Sequence, residues 1–426
     1  MVTSNRRAIA SWSLYDFANS AFTTLIVTFI YAAYFTQAIA PDPETGTSLW
    51  SIGVAISAII VAVCSPFLGA MADKGGLRKP YLLAATITCV VGTVVLYFPL
   101  PGQIVFALGA FVIANVAFEM GNVFYNAYLP DLATPDRIGR VSGNGWALGY
   151  LGGLMALLIG FLVFVQPEVA PFGLDKEAGE HIRATNLLVA AWFAVFSIPM
   201  FLFVSDPVKA DRPPMGTLFR DAARELKTTF LHVRKLKNLF WLLLARLVYN
   251  DGIVTIFAFG AIYATGTFGF ETEEMFMFGI ALNVAAGLGA WAFGFVDDKL
   301  GGRTTILISL GGLVIAAILA VVAQSVTLFW ISAILVGLLA GPNQAASRSL
   351  LGRFIPDGQE NEFYGFFAFS GKFTAFMGPI ALGALTAAYG QRAGVSVVIF
   401  FFVLGAVLLL KVNEKEGMAA AKAYNP

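Results

Sequence analysis

The sequence predicts an all-α membrane protein of 12 transmembrane helices, arranged as two pseudo-symmetric six-helix bundles. Three observations predict it: a composition that water cannot accommodate, twelve apolar runs of spanning length, and a charged, glycine-rich loop that occurs once in each half. The 426 residues are 58% hydrophobic and only 12% charged, with a mean hydropathy of +0.77. Soluble domains carry about 25% charged residues, so the bilayer is the solvent of this chain. The net charge of +1 gives no reason to expect nucleic acid or another acidic partner. Cys64 and Cys89 both fall inside apolar runs and define no disulfide framework. His181 and His232 are too far apart to suggest a metal site.

A spanning helix needs about 20 largely apolar residues. The runs that qualify are 10–38, 50–72, 80–99, 103–129, 141–165, 185–205, 238–265, 274–296, 304–323, 326–347, 362–387 and 393–411. The first run is too long for a removable signal and lacks a small-residue cleavage site, so it reads as span 1. Lys and Arg set the orientation. One set of loops and tails holds 22 of the 27 basic residues, the opposite set holds only Lys176, Arg183 and Arg392, and Arg246 and Lys372 lie within spans. Both termini are therefore expected in the cytoplasm. The longest connection divides the chain into an N-terminal bundle (1–205), a cytoplasmic linker (206–237) and a C-terminal bundle (238–426). In the linker, Leu218, Ala222, Leu226, Phe230, Val233 and Lys237 share one helical face, with basic residues mostly between them. That pattern fits an amphipathic helix on the inner leaflet or a soluble connector.

The halves echo each other. "GAMADKGGLRK" (69–79) follows span 2 and "GFVDDKLGGRT" (294–304) follows span 8. A repeated six-span unit is the pattern of a transporter whose bundles rock around a site between them. Gly69, Asp73, Lys74, Gly76 and Arg78, with a second copy at Gly294, Asp298, Lys299, Gly301 and Arg303, resemble the loop motif of the major facilitator superfamily. Leu77 and Gly302 depart from it where a basic residue is usual. "LYDFANSAF", "YNAYLPDL", "GRVSGNGWALGYLGG", "YNDG", "GPNQAASRSL" and "SGKFTAFMGP" are similar to the branch of the yeast vacuolar amino-acid effluxer and its bacterial relatives. The resemblance spans nearly the whole chain. It implies the major facilitator fold, amino-acid export, a bacterial inner-membrane location, and a monomer without cofactors. It also implies a latch role for the loop, with Asp73, Lys74 and Arg78, and Asp298 and Arg303, as gating residues and span 11 as the partner of Asp73. By its own chemistry Asp73 can pair with arginine or with a helix N-terminus on the basic side.

A charge at mid-bilayer costs about 2.5–3.5 kcal/mol even on insertion scales, so such residues are paired or line a water-filled cavity. Five ionisable residues lie well inside spans: Asp16, Glu119, Arg246, Asp251 and Lys372. At about 1.5 Å rise per residue, Glu119 and Lys372 lie about 15 Å deep, Arg246 about 12 Å, Asp251 about 20 Å and Asp16 about 9 Å. Asn115, Glu119, Asn122 and Asn126 share one stripe of span 4, and Asp16, Asn19, Ser20 and Thr23 one of span 1. Glu119, Asp251 and Asp16 are the candidates for proton coupling, with a gate role the alternative for Asp16. Arg246, Lys372, Asn19, Asn122, Asn126, Asn250, Asn343, Trp146 and Tyr150 are the candidates for holding cargo. Asn343, Gln344 and Arg348 also fit helix packing or gating, and Trp146 and Tyr150 ordinary packing. A zwitterion suits a layer of both signs; a sugar, a short peptide, or an amphipathic drug or metabolite is the alternative.

Three function classes compete. A proton-coupled secondary transporter uses the buried carboxylates, whereas a facilitator for a neutral solute has no need of them. A membrane enzyme or sensor lacks a catalytic cluster to rest on. The Gly-x-x-x-x-Gly-Lys-Ser/Thr loop of ATP-driven proteins is absent from the sequence.

Overall fold

A computed structural model describes residues 5–206, 215–232 and 236–424. Spanning helices are labelled α1–α12 in chain order: α1 Arg6–Ile39, α2 Pro43–Gly75, α3 Arg78–Val95, α4 Ile104–Asn126, α5 Ile138–Val165 and α6 Glu180–Phe203. In the second half they are α7 Lys237–Phe268, α8 Thr272–Leu300, α9 Gly302–Val322 and α10 Val326–Phe354. The split α11 (Glu360–Lys372 and Met377–Tyr389) and α12 (Gln391–Leu409) complete it. Among the described residues, 10 helices are long and apolar enough to cross a membrane unaided. The two beyond these are α3, whose first turn carries Arg78 and Lys79, and α11, whose two pieces are 13 residues each.

The continuous span expected at 362–387 is thus interrupted at 373–376. Pro379 has no N–H to return to Ala375, and glycines at 371 and 378 lower the cost of leaving the helix. α1 is wound loosely at Phe22–Phe29, where Ile30 N–H reaches the Leu25 carbonyl five residues back at 2.9 Å. α2 stops at Gly76, whose φ of 59° is a left-handed cap open to glycine at low cost.

Two principal apolar clusters form the interior. One, around Trp12, Tyr15, Phe111 and Tyr125, lies in the first six helices. The other, around Tyr249, Leu310, Phe354 and Phe402, lies in the last six and takes in Val123 of α4 and Ala127 just after it. Large apolar side chains such as Val63, Val105 and Ile113 point outward, as lipid allows and water does not. The connector helix Met215–His232 lays Leu218 and Ala222 against Ala70 and Met71 of α2. This part of its apolar face is therefore covered by the chain itself. Phe230 and Val233 lie outside the described side chains.

The halves meet mainly where α2 packs on α11 and α5 on α8. Both seams depend on glycine. A Cβ on Gly69 would stand 2.3 Å from the Asn361 carbonyl oxygen, and one on Gly143 would stand 2.5 Å from that of Ala290. Only a residue without a side chain permits such an approach.

Candidate functional site

The polar contacts between halves begin at the face that carries the basic loops. Asp73 accepts from the backbone N–H of Asn361 at 3.1 Å, from Asn361 Nδ2 at 2.6 Å and from the backbone N–H of Glu362 at 2.8 Å. It thereby caps the N-terminus of α11, where free N–H groups and the helix dipole favour an anion. Arg78 lies beside it, 2.5 Å from Asp131 and 2.9 Å from Glu360. The second loop copy repeats the arrangement. Asp298 accepts from the backbone N–H of Arg140 at 3.2 Å and from its Nε at 2.5 Å, in the first turn of α5. Asp73 therefore joins α2 to α11 as Asp298 joins α8 to α5. Lys74 ends α2 with its side chain exposed.

Arg303, expected at the gate, stays within its own half. Its side chain donates to the carbonyls of Leu409 and Leu410, and its N–H to Glu414. It pins the end of α12 rather than the other bundle. The contacts between halves at this face instead include residues that carried no distinct signal in the sequence. Asp297 is 2.6 Å from Arg353 and also accepts from Ser349, and Arg353 Nε donates to the Pro135 carbonyl of the other half at 3.0 Å. Asp297 could have been noticed only as the neighbour of Asp298. Arg140 and Arg353 read as two more charges among the basic loops.

One layer deeper, Arg348 of α10 enters the first bundle. It donates to Asp16 at 3.0 Å, Asn126 at 3.2 Å, Ser142 Oγ at 2.9 Å and the Ser142 carbonyl at 2.7 Å. The guanidinium also lies over the rings of Trp12 and Trp146, 4.8 and 5.6 Å from their centroids. Asp16 is thus engaged by a cation of the opposite half. Tyr150 packs beside Trp146 and lines a groove of about 630 Å³ between α1, α5 and α8, with Arg6, Asn144 and Trp291. None of Glu119, Lys372, Arg246 and Asp251 lines that groove; of the pair, Tyr150 lines it and Trp146 faces Arg348. Asn343 is fully buried and donates to Ser309 of α9 at 2.9 Å. Its Nδ2 is thus committed to a neighbouring helix of the same half.

Deeper still, Lys372 Nζ stands 2.6 Å from Glu119 Oε1. Lys372 belongs to α11 where that helix breaks, and Glu119 to α4. Their side chains are 32% and 20% exposed, against 3% and 2% for Arg353 and Asp297. The Glu119–Lys372 pair is therefore partly exposed, and the Asp297–Arg353 pair is not. On the same stripe, Asn122 accepts from Asn19 at 3.1 Å. Glu119, Asn122 and Asn126 thus each meet a partner on another helix. Arg246 shares the depth but faces α11: it donates to the Phe367 carbonyl at 2.7 Å and Ser370 Oγ at 3.0 Å, and lies 3.5 Å above the Phe367 ring. Asn250 donates to the Gly371 carbonyl at 3.0 Å. Together they hold α11 just ahead of Lys372. Asp251 sits on the same helix, forms no ion pair among the described residues, and lies beside Thr374.

Comparison with known proteins agrees with this arrangement. The family model described as "Vacuole effluxer Atg22 like" matches residues 42–422. The chain belongs to that family. It is 28% identical to the "Uncharacterized MFS-type transporter YxiO" of Bacillus subtilis, over 97% of both chains. With "Autophagy-related protein 22" of Coccidioides immitis it shares 23% identity, covering 86% of this chain and 72% of the relative. Among solved structures, the human organic anion transporter MFSD10 superposes with a TM-score of 0.76 at 16% identity, covering 95% of this chain and 99% of that one. The Atg22-like chain is a multi-pass major facilitator transporter, not an enzyme, and its fold implies a small-molecule cargo and a lipid bilayer around it.

Proposed function

We propose that this transporter exports amino acids from the cytoplasm by proton-coupled alternating access, working as a monomer in a bacterial inner membrane with both termini inside. In this reading the basic face is cytoplasmic and the conformation is closed on that side. The observation that carries it is the Glu119–Lys372 pair. It joins the two bundles, is partly exposed, and in this reading lies beyond the closed gate. An α-amino acid offers the same two charges. Its carboxylate replaces Glu119 at Lys372, and its ammonium replaces Lys372 at Glu119, so a bound zwitterion keeps both bundle charges compensated. Protonation of Glu119 breaks the pair and removes the carboxylate that the cargo ammonium needs. Proton and cargo thus compete for one carboxylate, which is the linkage a coupled transporter needs. Arg246, whose Nη1 donates to Phe367 and Ser370 of α11, positions Lys372 rather than holding the cargo.

Uptake and efflux of labelled amino acids by proteoliposomes, with and without a pH gradient, test the reading. Lys372→Ala removes one charge-assisted hydrogen bond, about 1.5–3 kcal/mol, and is expected to weaken amino-acid binding about 10- to 150-fold. Glu119→Gln is expected to keep the fold and lose pH-driven transport. Unaltered coupling in Glu119→Gln, or unaltered affinity in Lys372→Ala, overturns the proposal.

A further inference from the structure

We propose that Asp251, Thr255 and the interrupted stretch of α11 form a binding site for one sodium ion in the C-terminal bundle, separate from the Glu119–Lys372 pair. Asp251 and Thr255 are 2% and 0% exposed and lie one turn apart on α7, so they share a face. Among the described residues, Asp251 Oδ1 and Thr255 Oγ1 have no hydrogen-bond partner. That is unusual for a hydroxyl in a spanning helix, which ordinarily donates to the carbonyl four residues back. Ser57, Thr86 and Thr93 of this chain do so, at 2.9, 2.8 and 2.7 Å. Thr255 does not.

The break in α11 faces these two residues. A Cβ on Gly378 would stand 2.0 Å from Thr255 Oγ1 and 3.0 Å from the Asp251 carbonyl oxygen, so the α11 backbone passes directly over them. Thr374, one turn before Gly378, lies beside the Asp251 carboxylate while donating to the Leu247 carbonyl at 3.0 Å. Between the two pieces of α11 the regular ladder gives way to tighter turns, from Ala375 N–H to Lys372 O at 3.3 Å and from Met377 N–H to Thr374 O at 2.7 Å. Pro379 cannot donate to the Ala375 carbonyl. The cluster therefore gathers a carboxylate oxygen, a threonine hydroxyl and the Asp251 carbonyl oxygen beneath an α11 backbone whose ladder is interrupted just before Gly378.

The donor set is all oxygen, which selects a hard cation. One carboxylate neutralises one positive charge, so a monovalent ion leaves the site neutral where a divalent ion would leave buried excess charge. A proton on Asp251 would satisfy that group alone and leave the Thr255 hydroxyl unanswered. Because α11 also carries Lys372, an ion bound here would bias the segment that presents the cargo site. The proposal does not depend on the identity of the cargo.

The test is thermal unfolding of the purified full-length protein in NaCl, KCl or choline chloride at equal ionic strength, without cargo. A saturable rise in Tm is expected with sodium only, since a ligand that binds only the folded state stabilises it by mass action. Asp251→Asn and Thr255→Val are expected to abolish the rise, and Thr255→Ser to retain it. Equal shifts in all three salts, no shift in any, or a sodium shift that survives Thr255→Val would overturn the site. Should Asp251→Asn fail to fold, the Thr255 pair decides. A sodium shift in a protein that moves no amino acid would count against the proposed cargo and leave the ion site standing.

Discussion

Replacing Asp73 by Asn tests the latch with the smallest change of shape. The carboxylate accepts three N–H groups, two from backbone amides at the start of α11 and one from Asn361 Nδ2. An amide keeps one acceptor oxygen and turns an NH₂ toward donors that the second carboxylate oxygen had served. At least one charge-assisted bond is lost, about 1.5–3 kcal/mol. The favourable charge at the α11 N-terminus, about 0.3–1 kcal/mol, is lost with it. The first term alone shifts the ratio of closed to open basic face by about 10- to 150-fold. Ser65→Cys reports the change, because Ser65 is fully buried in the α2–α11 seam, 3.0 Å from the Gly365 carbonyl. In a background with Cys64 and Cys89 replaced by Ala, a membrane-impermeant maleimide applied to the basic face should label this cysteine faster when Asp73 is Asn. Equal labelling rates with Asp and Asn at 73 would refute the latch and leave the loop as a topology signal.

Two further perturbations probe the other contacts between bundles. Arg348→Ala strips Asp16 of its cation and leaves Asn126 and Ser142 short of a donor; breaking a buried pair from one side costs about 3–5 kcal/mol. Thermal unfolding in detergent should show a clear loss of stability, and a Tm unchanged from the parent would remove Arg348 as a cross-bundle tie. Gly69→Ala places a methyl group against the Asn361 carbonyl, whereas Gly109→Ala meets nothing within 4 Å. The first should raise labelling of the Ser65→Cys reporter and the second should not; equal behaviour would mean that close approach at Gly69 does not hold the seam.

Much of this molecule is a one-dimensional problem, and that part was legible in the sequence. Span length follows from bilayer thickness and helix rise, and the repeated loop marks the same place in each half. The stripe of Glu119, Asn122 and Asn126 follows from the 3.6-residue period, and helix rise alone puts Glu119 and Lys372 at one depth. Azimuth was not legible, because the direction a side chain takes around its helix axis depends on how twelve helices pack. Arg246 shares the layer of Glu119, yet packing turns it onto Phe367. Asp16, shallower than that layer, is met by Arg348 from the other bundle. Arg303 matches the motif position but reaches the end of α12, while Arg140 and Arg353, outside the motif, pair with Asp298 and Asp297 at the contact between halves. The break in α11 lay between the two views: Gly378–Pro379 announced a weakness, and only packing showed that it lies over two buried, unpartnered oxygens of α7.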